Sequence, residues 1–194
     1  MEKTIVFIDA GYLDQISKYF GGGLPLKYDI NQLAITIAKE SNLWCEEVFY
    51  YTAQPYQDPQ PSEDQKLRRK RHDNFINKLE KIPGFTVRQG RCQKTDNGYR
   101  QKGVDTLLTM DLTFRCSKKD IKTIILIACD TDFVPILNHI RKEFKTYVIL
   151  AYFFDYKRGS KFSMSNHILT ACDLKILVNH EHFKKSTKND TNKS

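Results

Sequence analysis

The apolar residues of this chain follow two alternating patterns. Short runs rich in β-branched and aromatic residues predict strands, and stretches with apolar residues three or four positions apart predict helices. Strands that alternate with helices predict an α/β fold with a mainly parallel sheet and helices on both faces. The predicted strands span residues 4–8, 45–53, 85–91, 123–129, 146–153 and 174–178, and the predicted helices span 11–20, 29–39, 62–81, 104–114, 133–142 and 166–172.

Polar residues mark where several of these elements begin or turn. Asp29 precedes a predicted helix and is expected to be its N-cap. Ser62 followed by Gln65 predicts a capping box at the start of another helix. Residues 94–100 contain Asn-Gly and predict a turn between two strand ends.

The size and composition of the chain indicate one domain. Its 194 residues, 40% of them hydrophobic, suffice for one core and are too few for two ordinary domains. This domain is predicted over residues 1–179, and the polar stretch 180–194, with its two histidines, predicts a disordered tail. The sequence shows neither a signal peptide nor a membrane-length apolar run, so a cytoplasmic protein with no membrane partner is expected. The five cysteines form no CxxC pair, which argues against a zinc ribbon and favours structural thiols.

The positive charge of the chain favours a polyanionic partner. The formal net charge is +8, and basic residues concentrate in 66–71 and 88–102. On a helix, Lys66, Arg69 and Lys70 share one face, which predicts nucleic-acid binding, with a solvated basic helix as an equal alternative. The nucleic-acid-binding prediction extends to Arg91 and to Lys102, for which a solvated lysine at a helix start is the alternative.

Four aspartates follow the ends of strands or begin helices. Asp9 and Asp130 come directly after the strands 4–8 and 123–129, Asp132 follows two residues later, and Asp105 begins the helix 104–114. In parallel α/β sheets, function lies beyond the carboxyl ends of the strands. Carboxylates gathered there repel one another unless a cation lies between them, and Mg²⁺ or Mn²⁺ prefers such oxygen ligands.

Two of these aspartates, and three others in the chain, also have simpler interpretations. Asp105 and Asp132 are each also expected as caps of their own helices. Asp111 lies well round its helix from Asp105, so a solvated position is predicted. Asp155 and Asp173 also follow apolar runs and are candidates only for the surroundings of the site.

Five segments together resemble the successive motifs of NYN domains, which are relatives of PIN-like nucleases. They are FIDAGYL (7–13), FTVRQGR (85–91), KGVDTLLTMDL (102–112), ACDTDFVPIL (128–137) and SNHILTACD (165–173). The resemblance implies a PIN-like fold, a three-layer α/β/α sandwich, and Mg²⁺- or Mn²⁺-dependent endonucleolytic hydrolysis of RNA. It implies that Asp9, Asp105, Asp130 and Asp132 are the catalytic and metal-binding residues.

The chain departs from the family pattern at two places. The position three residues after Asp9, often Asn in the family, is Tyr12, for which base stacking and core packing are both open. The Ser-Gly or Thr-Gly before the D-x-D motif is Ala128-Cys129 here. Further aromatic residues, for which core packing is the commoner fate and base stacking the alternative, are Tyr56, Phe75, Tyr99 and Phe162.

The predicted mechanism is metal-assisted hydrolysis. Asp9, Asp105 and Asp130 would hold most of the cation, and Asp132 would complete its coordination or orient the water. The main alternative is a PIN-like module with weak or no catalysis that binds RNA or a protein. A phosphatase or receiver-like domain is a second rival, and DNA as the substrate and a homo-oligomeric state are left open.

Overall fold

The computed structural model describes residues 1–96, 98–155, 162 and 165–187, and it contains a seven-stranded sheet. Position 97 of the predicted turn and positions 188–194 of the predicted tail lie outside the described residues. The strands are β1 (Glu2–Asp9), β2 (Leu43–Gln54), β3 (Phe85–Thr95), β4 (Gly98–Lys102), β5 (Thr123–Ile127), β6 (Tyr147–Tyr152) and β7 (Leu174–Leu177). The helices are α1 (Ala10–Phe20), α2 (Ile30–Glu40), α3 (Glu63–Leu79), α4 (Val104–Ser117), α5 (Val134–Glu143), α6 (Asn166–Thr170) and α7 (His180–Lys185), with a short 3₁₀ helix at Thr131–Phe133.

The strand order across the sheet is β4-β3-β2-β1-β5-β6-β7. Every neighbouring pair is parallel except β3 and β4, which form an antiparallel hairpin. The predicted α/β fold with a mainly parallel sheet is therefore confirmed. The sheet is mixed and curled, so the regular three-layer sandwich stays a prediction.

Two hydrophobic clusters lie on opposite faces of the sheet. Side chains alternate along a strand, so Val6 and Ile8 of β1 enter one cluster and Ile5 and Phe7 enter the other. The first cluster includes residues of α1, α2 and α7, and the second includes residues of α4, α5 and α6. All residues of β5 are buried, as expected for a central parallel strand covered on both faces.

The direction in which the sheet grows reverses beside β1. From β1 the chain adds β2 and β3 on one side, and after the β3–β4 hairpin it adds β5, β6 and β7 on the other. The carboxyl ends of β1 and β5 therefore lie side by side at a topological switch point, where α/β sheets form a crevice for ligands.

The helix caps divide into confirmed and wrong predictions. Asp29 caps α2, and Ser62 with Gln65 forms the capping box of α3, both as predicted. Asp105 is not the cap of α4, because Gly103 holds that position, and Asp132 caps no helix, because Asp130 caps the 3₁₀ helix instead.

The predicted disordered tail is wrong for residues 180–187. These residues form α7 and its end, which pack against α2, with Phe183 only 1% exposed. His182 hydrogen-bonds Glu40 Oε2 at 2.7 Å, and Phe183 stacks edge-on against Tyr28. The polar composition misled the prediction, because two buried side chains suffice to dock so short a helix.

Two further expectations concern membranes and cysteines. No helix formed by the described residues combines the length and the apolar character that a membrane span needs. All five cysteines are free, and Cys116 and Cys172 are buried, in line with structural thiols.

Candidate active site at the carboxyl edge of the sheet

Asp9 is the last residue of β1 and the N-cap of α1. Its Oδ1 accepts hydrogen bonds from the backbone N–H of Gly11 at 2.9 Å and of Tyr12 at 3.3 Å. A side chain at Gly11 would crowd this carboxylate, since an added Cβ would lie 3.3 Å from Asp9 Oδ1. The strand and the helix thus hold the carboxylate at the edge of the sheet, with its second oxygen not used by the cap.

Asp130 lies beside Asp9 because β5 is the parallel neighbour of β1. Ile8 pairs with Ile127, and the chain continues through the buried Ala128 to Asp130. Asp130 Oδ1 accepts the backbone N–H of Asp132 at 2.9 Å, which caps the 3₁₀ helix. Both Asp130 and Asp132 are exposed.

Asp105 reaches the same edge from the first turn of α4, and glycines shape its approach. Gly103 joins β4 to α4 with φ +82°, in the left-handed region that favours glycine. At Gly90 of β3, an added Cβ would lie 2.5 Å from Lys102 O and 2.8 Å from Val104 Cγ2. These two glycines let the start of α4 cross closely over β3.

A polar contact beneath the site anchors α4 to the sheet. Asp111 Oδ2 accepts from Arg88 Nε at 2.9 Å and from the Tyr51 hydroxyl at 3.1 Å. Its side chain is only 15% exposed, so the predicted solvated position of Asp111 is wrong. Asp111 lies on a different face of α4 from Asp105, and this face contacts β2 and β3. The prediction failed because the sequence alone does not show which face of the helix meets the sheet.

Asp9, Asp105 and Asp130 line one open pocket of about 510 Å³, together with Gln15, Gln101 and Ser165. The pKa of Asp9 is raised to about 6, mainly by burial. The charges of Asp105 and Asp130 also raise it, and two backbone hydrogen bonds oppose the shift. The pKa of Asp105 is also raised, by burial and then by Asp130 and Asp132. These acids therefore repel one another, and no lysine or arginine of residues 1–96, 98–155 and 165–187 forms an ion pair with Asp9, Asp105 or Asp130.

The donors present suit a hard divalent cation. They are carboxylate oxygens, and Mg²⁺ commonly takes only one or two protein carboxylates, with water and phosphate as its other ligands. Within the described residues, no three acidic, histidine or cysteine side chains are close enough to form a preassembled metal site. Asp9 and Asp130 are the residues that fit as ligands, because adjacent strand ends bring them together.

Tyr12, which occupies the position that is often Asn in the family, is buried. It is only 2% exposed, and its hydroxyl accepts the backbone N–H of Phe153 at 2.7 Å. Its ring lies in the hydrophobic core beside the pocket of Asp9, which favours the core-packing alternative, and its role in nucleic-acid binding stays a prediction. Cys129 does line the pocket, and burial raises the pKa of its thiol to about 12, so it is neutral there.

The predicted basic residues fall into two groups. Arg91 and Lys102 are paired across the β3–β4 hairpin, next to Gln54, Gly103 and Thr106. On α3, Lys66 pairs with Glu63 at 2.7 Å and Arg69 with Asp73 at 2.9 Å, and Lys70 is exposed. Only the first group adjoins the turn that leads to Asp105.

Asp155 and Asp173, the two acids predicted as candidates for the surroundings of the site, do not line the pocket of Asp9. Asp173 precedes β7 and binds Arg141 and the backbone N–H of Val148, at the amino edge of the sheet. Asp155 is buried after β6 and has interactions of its own. Neither lines the pocket of Asp9 among the residues that the structure describes.

Sequence reasoning missed four polar residues that line the pocket, namely Gln15, Gln101, Thr131 and Ser165. Gln101 comes from β4, far from β1 in the sheet order, and only the folded hairpin brings it near Asp9. Thr131 lies inside the D-x-D motif, and Ser165 is the N-cap of α6. For Thr131 and Ser165, the motifs 128–137 and 165–173 were usable signals; no sequence motif marks Gln15 or Gln101.

Comparisons with known proteins agree with this geometry. No curated protein matches the chain. It is similar in structure to a protein of unknown function from Vibrio parahaemolyticus, with 15% identity, a TM-score of 0.59, and 94% of this chain and 96% of that one covered. The chain matches the NYN domain family over residues 3–178, nearly its whole length. The match spans every strand of the sheet, and the chain therefore belongs to the NYN domain family.

Proposed function

We propose that this protein is a Mg²⁺- or Mn²⁺-dependent endoribonuclease. The observation that carries the proposal is the pocket at the switch point of the sheet, which Asp9, Asp105 and Asp130 line together and where the charges of Asp105 and Asp130 raise the pKa of Asp9. Membership of the NYN family, whose domains have a PIN-like nuclease fold, supports it. A PIN-like three-layer arrangement of the domain belongs to the same proposal.

Each acid has a distinct part in the proposed mechanism. Asp9 and Asp130 would hold the cation, because the ends of β1 and β5 place them next to each other. Asp105 lines the same pocket and would be a further ligand, and Asp132, two residues after Asp130, would complete the coordination or orient the attacking water. A bound Mg²⁺ or Mn²⁺ supplies the charge that activates water and stabilises the scissile phosphate.

The basic hairpin supports a nucleic-acid substrate. Arg91 and Lys102 place two positive charges beside the turn into α4, where they would neutralise backbone phosphates. In the proposal, Lys66, Arg69 and Lys70 of α3 extend this positive region. Glu63 and Asp73 partly neutralise the charges of Lys66 and Arg69. RNA in the cytoplasm is the proposed substrate, and single-stranded DNA is the alternative for the same surface.

The test is cleavage of labelled RNA with Mg²⁺ or Mn²⁺ by the wild type and by Asp9→Asn and Asp130→Asn. The matched control is Asp120→Asn, an exposed aspartate that precedes β5 at the opposite edge. We expect both site variants to lose cleavage and the control to retain it. Calorimetry with the cation alone gives a second readout, in which Asp130→Asn binds more weakly than Asp120→Asn.

Each outcome discriminates between functions. Cleavage that persists in both site variants contradicts the proposal. RNA binding by a wild type that neither cleaves RNA nor binds the cation supports the alternative of an inactive binding module. Cleavage of single-stranded DNA in preference to RNA would keep the mechanism and change the substrate.

A further inference from the structure

A second pocket adjoins the acidic one. It has a volume of about 400 Å³ and shares Gly11 and Gln101 with the pocket of Asp9. Three aromatic rings contribute to its wall, those of Tyr28, Tyr50 and Phe75. Neither the family match nor the proposed hydrolysis gives this pocket a role.

One of the three aromatic rings, that of Phe75, is exposed to solvent. Phe75 of α3 is 41% exposed. Its ring lies edge-on to Tyr50, with the centroids 6.3 Å apart. Tyr50 is itself only 8% exposed, so it fixes the orientation of Phe75 while one face of Phe75 stays available for stacking.

The polar side of this pocket offers both an acceptor and a donor. Asp14 of α1 is half exposed and uses Oδ2 to bind Lys18, which leaves Oδ1 as an acceptor. Burial raises the pKa of Tyr50, and Tyr28, Asp14 and Asp9 raise it further. The Tyr50 phenol is therefore neutral and keeps its proton, which makes it a hydrogen-bond donor in the wall of this second pocket.

This combination of a flat apolar wall with convergent polar groups matches a nucleobase. Aromatic side chains stack on bases, and their polar edges are read by hydrogen bonds. A carboxylate acceptor favours bases that carry an exocyclic amino group, because uracil presents a carbonyl at that position. No lysine or arginine of the described residues lines this pocket to attract a phosphate, so a base rather than the backbone is the occupant that its chemistry favours.

We propose that the pocket of Phe75, Tyr50 and Asp14 binds one base of a single-stranded RNA, next to the phosphate in the acidic pocket, and prefers cytosine to uracil. The inference rests on the proposed function for the position of the phosphate. The shared residues Gly11 and Gln101 set the two subsites side by side, as neighbouring parts of one nucleic-acid strand require. The hairpin that carries Gln101 thus belongs to both subsites.

The test is equilibrium binding of fluorescently labelled oligocytidine and oligouridine in EDTA, where no metal-dependent cleavage occurs. We expect wild type to bind oligocytidine more tightly, and Phe75→Ala to weaken this binding roughly tenfold, the usual effect of losing one stacking ring. Asp14→Asn should reduce the preference for oligocytidine. The matched control is Phe114→Ala, because Phe114 is 59% exposed on α4 and lines neither pocket.

The outcomes separate this inference from the nuclease proposal. Equal binding of the two oligonucleotides by wild type, or equal losses for Phe75→Ala and Phe114→Ala, would overturn the base subsite whatever the cleavage assay gives. A cytosine preference that depends on Phe75 and Asp14 in a protein that never cleaves RNA would retain the subsite and refute the nuclease. Phe75 is exposed, so its replacement is compatible with folding, and Tyr50→Phe tests the phenol with the ring kept.

Discussion

The acids at the two edges of the sheet have opposite surroundings. At the amino edge, Asp173 receives hydrogen bonds from Arg141 Nε and from the backbone N–H of Val148, and Glu47 is bound by Arg115. At the carboxyl edge, Asp9 and Asp105 have other carboxylates as charged neighbours. An acidic side chain is thus neutralised by an arginine at one edge, whereas at the other edge neighbouring carboxylates raise its pKa.

The pKa values follow this difference. Burial raises the pKa of Asp173, but the hydrogen bonds and the charge of Arg141 lower it further, so the net pKa is below its ordinary value. The pKa of Asp9 is raised to about 6 by burial and by neighbouring carboxylates. Groups whose pKa is perturbed by burial and by neighbouring charges concentrate at functional sites, which makes Asp9 a candidate for ligand binding.

The largest expected effect contrasts Asp105 with Asp173. Asp105→Asn should lower the rate of metal-dependent cleavage about a hundredfold, because loss of one electrostatic contact to the reacting groups costs several kcal/mol. Asp173→Asn should leave the rate of the folded protein nearly unchanged. The measurement is the initial cleavage rate well below the melting temperature, and equal losses in the two variants would remove the functional distinction between the edges.

The reverse contrast concerns stability. Arg141→Leu should lower the free energy of unfolding by about 1–3 kcal/mol, because it leaves Asp173 partly buried without its charged partner. Urea denaturation measures this, with Arg71→Leu on the exposed surface of α3 as the control. Since the folded pKa of Asp173 is depressed, the difference should be present at neutral pH and shrink as the pH falls below about 4. A difference that is constant down to pH 2 would contradict the assigned pairing.

The pH dependence of stability should have the opposite sign at Asp9. Its folded pKa of about 6 lies above the unfolded value of about 4, so the folded state binds the proton more tightly than the unfolded state does. Without divalent cations, this contribution to stability is present below pH 4 and is lost as the pH rises through 6. Asp9→Asn retains a capping residue and should be more stable than wild type at pH 8 by about 1–2 kcal/mol.

Thermal unfolding at pH 5 and pH 8, with and without Mg²⁺, measures this effect. Mg²⁺ should stabilise wild type more than Asp9→Asn, because a ligand that binds only the folded state raises its stability. If the stability of wild type relative to Asp9→Asn increases between pH 5 and pH 8 in EDTA, the Asp9 carboxylate has a partner that stabilises its charge, which contradicts the prediction.

The smallest expected effect compares two groups of cations. Arg91→Gln or Lys102→Gln should each reduce the slope of log affinity against log salt by about 1, because each removes one phosphate contact. Lys66→Gln should change it less, since Glu63 already binds Lys66. Salt titrations of RNA binding measure the slopes, and a larger change for Lys66→Gln would move the proposed RNA path from the hairpin to α3.

Much of the fold follows from local sequence. The apolar runs of β1, β5 and β6 predicted strands near their true positions, because buried parallel strands need uninterrupted β-branched and aliphatic residues. The capping box of Ser62 predicted the start of α3 for an equally local reason. The short helix α7 escaped prediction, since its burial depends on Phe183 meeting α2 and Tyr28 far away in the chain.

The candidate site divides in the same way. Asp9 and Asp130 were predictable together, because each follows a strand and the ends of parallel strands share one edge. Their nucleolytic role stays a proposal. Tyr12 was ambiguous in sequence, since a tyrosine one turn into a helix has no local feature that distinguishes stacking on a ligand from packing in the core.

By itself, the sequence determined the order of strands and helices, the family, and the positions of the acids relative to strand ends. Only the tertiary structure decided which acids are compensated. Arg88 lies 23 residues from Asp111 and Arg141 lies 32 residues from Asp173, and such partners meet only when the sheet and helices pack. The raised pKa of Asp9 is likewise a property of the packed edge, because burial and neighbouring charges, both set by distant residues, control it.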